Sequence, residues 1–508
     1  MENKNVKSNE FSILNLTSED CEPERTAPFF LDLNLLQIID KLASKWGKGV
    51  KTHYMYLPGS REEEAYRRSV YGDIKKEAVY QALMRFTEKL AEVESLRGEN
   101  ERVRIPIQKA VWKIREVEAY CSTYDELEKE LEAAGLSSEG MTGFLSILKE
   151  ILDDGGYRAT LAKTHRLLEK MRNFRFVLVY DKDRISVTLA ENTQNGGNYE
   201  EMLKRMGSGE IKQFLNPFRN DPGLTELEKA CLEILIDKDK DFFKELKDTA
   251  EELAEYEKPV LKRFEQEITF YLSFRSLTKD MEEKGFCFAT PEKSDDNRME
   301  AKGLYDLALA LNSLYTGKKV VSNDFYYNEG ERFFVLTGPN QGGKTTFARS
   351  LGQLVYFSRI GLDVPAESAR LPFFPDIQTH FSVEESVETG RGKLKEELIR
   401  LAPMMSEYRK GTFVIINELF TTAASYDATI MGKKVLEHFI ELDCMGIYVT
   451  HLKELADLEG GVVSLRAMLN DQRIQTFRIM RGEAVDIPCA ENQVNKYRLT
   501  YEQLKERL

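Results

Sequence analysis

The feature that most constrains this chain is the run Phe333-Phe334-Val335-Leu336-Thr337, followed by GPNQGGKTT from Gly338 to Thr346 and then by FARSLGQLVYF. An unbroken apolar pentapeptide suits a strand buried on both faces, and the segment after the glycines has helical character. Strand, glycine loop and helix in this order, with the spacing G-x-x-x-x-G-K-[ST], predict the phosphate-binding P-loop of an α/β nucleotide-binding domain. Gly338, Gly342 and Gly343 allow the backbone around Asn340 to curl so that successive N–H groups face phosphate oxygens. The partial positive charge of the helix N-terminus adds to that cradle. Lys344 is placed to reach the β- and γ-phosphates, and the Thr345 hydroxyl, with Thr346 after it in the first helical turn, to ligate Mg²⁺. ATP and Mg²⁺ are therefore the expected ligands of Gly338, Asn340, Gly342, Gly343, Lys344, Thr345 and Thr346. The bland alternative is a glycine-rich turn, and the flanking strand and helix argue against it.

Two more apolar runs follow. Thr412 to Ile416 leads into Asn417-Glu418, and Gly446 to Thr450 leads into His451. In nucleotide-hydrolysing proteins of this kind the first such strand carries an Asp that supports Mg²⁺, and in ABC-type members a Glu follows it and polarises the attacking water. Glu418 is thus the candidate general base. Asn417 can accept a hydrogen bond from a magnesium-bound water but brings no negative charge, which predicts weaker Mg²⁺ affinity. His451 is placed to hydrogen-bond the γ-phosphate or the lytic water. Each pair read alone is also what any polar strand end looks like; the order of the three strands, as along the carboxyl edge of a parallel sheet, favours the site.

A chain of 508 residues predicts two to four domains. Residues 1–28 are polar and read as a tail. From Phe29 to about Asn173 apolar residues recur at helical spacing, and FRFVLVYDKDRISVTLAE then alternates about Asp181-Lys182-Asp183, the pattern of a β-hairpin. Asn192 to Gly223 reads as loops and short helices at an exposed tip. Helical spacing resumes from about Leu227 to Lys284, with Leu253, Tyr256, Val260, Phe264, Ile268 and Leu272 on one stripe, Pro259 kinking or dividing it and Gly285 ending it. Composition narrows the function classes. No run offers the roughly 20 apolar residues of a membrane span, which excludes a membrane-embedded transporter. The N-terminus lacks a secretory pattern, so a cytoplasmic location is expected. The six cysteines form no CxxC pair, against a zinc or disulfide framework. A net charge of −13 argues against a surface coated with basic residues, while leaving room for local basic patches on a DNA clamp.

Taken together, these residues resemble the MutS family of mismatch-repair ATPases within the ABC superfamily. GPNQGGKTT is similar to the family's GPNMGGKST, and GLDVPAESA (Gly361 to Ala369) to its stretch ending in VPA. ETGRGKLKEEL (Glu388 to Leu398) occupies the place of the signature SGRSTFMVEM, and NELFTTAASYDA (Asn417 to Ala428) that of DEIGRGTSTYDG. VTHLKEL (Val449 to Leu455) resembles ATHYHEL, and VSNDFYY (Val321 to Tyr327) the VPND segment. The resemblance implies an α/β P-loop ABC-type ATPase domain over residues 301–508. Before it would come a mostly helical core/lever-like region over 29–300, with a small β-containing, clamp-like insertion at about 175–225. It also implies a homodimer closing through the ATPase domain, with the signature residues Gly390, Arg391 and Gly392 of one chain meeting the γ-phosphate held by the other. No counterpart of the family's mismatch-reading domain, nor of the Smr nuclease tail of some relatives, is found. Three departures point to slow turnover: Asn417 for Asp, Gly392 for the signature Ser, and Phe420-Thr421-Thr422 for the GRG after the acid. The expected function is an ATP-binding, slowly hydrolysing protein whose nucleotide-dependent dimerisation clamps or recognises DNA structures. The alternative is a nucleotide-dependent assembly or scaffold switch with little hydrolysis and no DNA contact.

Overall fold

The computed structural model describes residues 11–16, 27–173, 176–181, 184–189, 214–215, 226–382, 393–406, 409–472, 474–484 and 505. Among these residues, in chain order, eight helices come first: α1 Pro28–Asp32, α2 Leu35–Trp46, α3 Val50–Tyr54, α4 Arg61–Ile74, α5 Glu77–Arg102, α6 Pro106–Ala133, α7 Glu139–Leu152 and α8 Gly155–Asn173. Among the described residues three strands follow, β1 Phe176–Asp181, β2 Arg184–Leu189 and β3 Phe214–Leu215, and then three helices, α9 Glu226–Lys238, α10 Lys240–Glu252 and α11 Pro259–Glu282. The remainder alternates: β4 Glu292–Lys293, β5 Met299–Leu304, α12 Leu307–Thr316, β6 Asn323–Tyr327, β7 Phe333–Thr337, α13 Lys344–Arg359, β8 Ser368–Leu371 and β9 Ile377–Phe381. It closes with α14 Lys393–Ser406, β10 Phe413–Asn417, α15 Ser425–Glu441, β11 Met445–Val449, β12 Val462–Leu469 and β13 Gln475–Arg481.

The chain divides into two compact units, one of Met1–Phe11, Lys75–Ser137 and Met141–Glu265, the other of Ser12–Ile74, Ser138–Gly140 and Gln266–Leu508. The first unit is mostly helical and also carries the three-stranded sheet β2-β1-β3. Pro106 opens α6 at a position where a missing N–H costs nothing, and its apolar face (Ile107, Val111, Ile114, Val117) packs with Leu235, Phe242, Phe243 and Leu246 of α9 and α10. The stripe from Leu253 to Leu272 is divided, as expected from Pro259. Asp239 caps α10 by accepting from the Phe242 N–H at 3.3 Å, that helix ends at Glu252, and Pro259 starts α11. Leu253 and Tyr256 therefore lie in the connection, where they still pack on the core. The expected hairpin forms, β1 antiparallel to β2 with Phe176 opposite Leu189. Of Asn192 to Gly223 only Phe214–Leu215 is described, and it is a strand paired with β1 rather than loop or helix.

The second unit carries a six-stranded sheet in the order β13-β12-β7-β11-β10-β9 and a four-stranded sheet in the order β4-β8-β5-β6. In the larger sheet every pairing but β12–β13 is parallel. Every residue of β7, β10 and β11 is buried, which is why these strands read as unbroken apolar runs rather than alternating ones. Because they are parallel, their carboxyl ends share one edge, where open α/β sheets bind ligands. Among the described residues no helix is long and apolar enough to cross a membrane.

Candidate functional site

At that edge β7 ends at Thr337 and the chain turns through the glycine loop into α13. Gly338 has φ +130, and a Cβ there would lie 3.0 Å from the Ala467 side chain; Gly343, immediately before α13, has φ +88. L-residues rarely adopt such angles, so glycine is the residue that turns this corner without strain. Gln341 between them is also left-handed, at φ +62. Lys344 is only 4% exposed, and its ammonium donates to the Gly338 carbonyl at 2.8 Å and the Pro339 carbonyl at 3.1 Å. Burial pushes its pKa below the ordinary lysine value, and the Glu418 carboxylate opposes that shift. Among the described residues no carboxylate lies within ion-pairing distance of this ammonium. A buried cation held by two carbonyl dipoles is suited to an anionic ligand.

The neighbouring hydroxyl of Thr345 donates to Asn417 Oδ1 at 3.2 Å. Asn417 is the last residue of β10 and 6% exposed. Two neutral oxygens of this kind suit a hydrated hard cation such as Mg²⁺ better than a softer metal. Among the described residues no group of three or more His, Cys, Asp or Glu forms a metal cage.

After Asn417 the backbone enters a tight turn. Glu418 has φ +56 and Phe420 has φ +62, each costing roughly 1–2 kcal/mol for a residue with a Cβ. The Glu418 N–H donates to the Val449 carbonyl at 2.9 Å, at the end of β11, and the Phe420 N–H donates to Glu397 Oε2 at 3.1 Å. The Glu418 carboxylate then lies 3.3 Å from His451 Nε2. Phe420 stands where the similar motif DEIGRGTSTYDG has a glycine, so the substitution places a bulky residue on a left-handed backbone.

A cavity of about 720 Å³ adjoins the loop, lined by Asn340, Gly342, Gly343, Lys344, Thr345, Thr346 and Glu418, and on its other side by Tyr305, Asp306, Lys318, Lys319 and Phe477. Asn323 fastens that second wall: its amide donates to the Phe477 carbonyl at 3.1 Å and its oxygen accepts from the Ile479 N–H at 2.8 Å. The structure thus gathers Lys344, Thr345, Asn417, Glu418 and His451 at one sheet edge. Gly390, Arg391 and Gly392 lie outside the described residues. Sequence reasoning missed Phe477, Lys318, Lys319 and Glu397. VSND drew attention to Asn323, but an edge strand of mixed polarity gives no sign that Phe477 folds back onto the glycine loop.

Residues 334–484 match the family model of MutS domain V. The DNA mismatch repair protein MutS of Fervidobacterium nodosum is 25% identical over 270 residues, 53% of this chain and 30% of that protein. That of Thermotoga sp. strain RQ2 is 32% identical over 139 residues, 27% of this chain and 18% of the relative. That of Pelotomaculum thermopropionicum is 26% identical over 189 residues, 36% of this chain and 22% of the relative. The matched stretches cover less than a third of each relative's length. A parallel α/β sheet with a glycine loop at its carboxyl edge and this match define the class of the second unit: an α/β module of the MutS domain V kind. Over residues 334–484 the chain is thus similar to MutS domain V, and it matches MutS proteins in part.

Proposed function

We propose that this chain is a P-loop ATPase of the ABC type that hydrolyses ATP slowly and uses the bound nucleotide to close a homodimer on DNA. The observation that carries the reading is Lys344, a cation 4% exposed on a glycine loop, with the Thr345–Asn417 and Glu418–His451 pairs at the same sheet edge. ATP with Mg²⁺ supplies the scissile anhydride and neutralises charge on its phosphates. Lys344 and the N-terminus of α13 hold and orient the phosphate end, and the cavity wall formed by Tyr305 and Phe477 takes the rest of the nucleotide. Thr345 and Asn417 would hold the metal. Glu418 accepts the proton of the attacking water, and His451, whose Nε2 lies 3.3 Å from the Glu418 carboxylate, helps to set the direction of that carboxylate.

Asn417 sets the expected rate. It places a neutral amide where a carboxylate would attract Mg²⁺, so metal affinity and turnover fall together. The same observation supports the second reading, an assembly switch that binds ATP and scarcely cleaves it. ATP turnover measured without DNA and with duplex, single-stranded and branched DNA separates them. Stimulation by one DNA structure supports the clamp. Absence of DNA binding at low salt, where phosphate contacts are strongest, removes it and leaves the switch.

A further inference from the structure

We infer that Glu397 of α14 is a positioning residue for hydrolysis: its buried carboxylate holds the Glu418-Leu419-Phe420 turn in the left-handed conformation that aims Glu418. The inference rests on the proposed ATPase reading and adds to it a residue that acts through the backbone of the turn.

The turn is tied at two ends. At Glu418 the N–H donates to the Val449 carbonyl at 2.9 Å, and at Phe420 it donates to Glu397 Oε2 at 3.1 Å. Both residues have positive φ, +56 and +62, so each relaxes to an ordinary backbone unless something holds it. Apolar packing holds the place of the turn but not its hand. Leu419 and Phe420, each 2% exposed, share a core with Leu401 and Met404 of α14, and packing of that kind is indifferent to which way an N–H points. The Phe420 N–H is buried with its residue and has to find an acceptor in the interior. Glu397, 3% exposed, supplies it. If Phe420 abandons φ +62, the peptide groups between it and Glu418 rotate, and with them the direction of the Cα–Cβ bond that brings the Glu418 carboxylate to 3.3 Å from His451. A catalytic base misplaced by about an ångström loses rate on the order of a hundredfold while ligand binding is spared.

The test uses the full chain with three substitutions. Glu397→Ala removes the acceptor, Glu397→Met removes it while keeping side-chain volume should the alanine variant fail to fold, and Glu397→Gln retains an oxygen for the Phe420 N–H. Two readouts are taken: hydrogen exchange of the Phe420 amide, and the kcat for ATP set against the Kd of Mg-ADP. The acceptor-less variants should speed exchange at Phe420 tenfold or more and lower kcat at least tenfold with Mg-ADP affinity within threefold of wild type. Glu397→Gln should stay within threefold on all three. Unchanged exchange at Phe420 overturns the assignment, as does faster exchange with kcat intact, or kcat and Mg-ADP affinity falling by the same factor. A wild-type chain that turns over no ATP overturns the functional reading instead, and the exchange measurement, which needs no activity, separates that failure from a Glu397 that does not hold the turn.

Discussion

Phe420 offers a test in which the sign of an effect is decisive. Its backbone sits at φ +62 and its ring is 2% exposed. Replacing it by Gly and, separately, by Ala removes the ring in both cases, at about 3–5 kcal/mol each, so the packing loss nearly cancels between the two variants. What remains is the backbone. A left-handed residue bearing a Cβ costs roughly 1–2 kcal/mol, which Gly avoids, whereas the greater freedom of Gly in the unfolded chain costs about 0.5–1 kcal/mol. The difference leaves the Gly variant more stable than the Ala variant by about 1 kcal/mol, the reverse of the order found at a right-handed position. Urea midpoints of the transition of the sheet-bearing unit, compared at equal slope, measure it. An Ala variant as stable as the Gly variant, or more so, refutes the claim that the turn after Glu418 is strained, and with it the reason Glu397 is needed there.

Further outcomes follow from the same geometry. Lys344→Met deletes a buried charge-assisted contact worth about 1.5–3 kcal/mol, so ATP affinity should fall about ten- to two-hundredfold by equilibrium titration; a Kd within threefold of wild type contradicts the site. Asn417→Asp restores a negative charge beside Thr345 and should lower the Mg²⁺ concentration for half-maximal turnover and raise the basal rate; no change in either shows that the amide is an equal substitute. Burial, and behind it the Arg400 charge, push the His380 pKa down to about 4 from 6.5. The unfolded chain therefore takes up this proton first as pH falls, and folding loses about 3 kcal/mol between pH 6.5 and 4 with no further loss below. His380→Asn should flatten the stability profile in that window, and parallel profiles for variant and wild type refute the assignment.

The elements that hold the glycine loop were legible because each is a local pattern. β7, β10 and β11 are buried on both faces, and burial on both faces writes itself as an unbroken apolar run. The glycines sit where φ +130 and +88 leave little choice. The rest of the site depends on partners distant in sequence. Glu397 answers a backbone N–H, and a main-chain donor leaves no mark on residue type. Phe477 reaches the cavity through a hairpin pinned by Asn323, more than a hundred residues earlier. In the first unit the division at Pro259 was legible because proline breaks a helix, whereas the end of the preceding helix at Glu252 was not, since Leu253 and Tyr256 pack on the core from the connection and keep the periodicity of the helices they join.

The account stands most directly on Glu418. Phosphate release from ATP is to be measured for the wild-type chain and for Glu418→Gln, with Mg-ATP binding followed in both. The account predicts slow but measurable turnover in the wild type, a fall of at least a hundredfold in the variant, and binding retained. Equal rates in the two chains would contradict it.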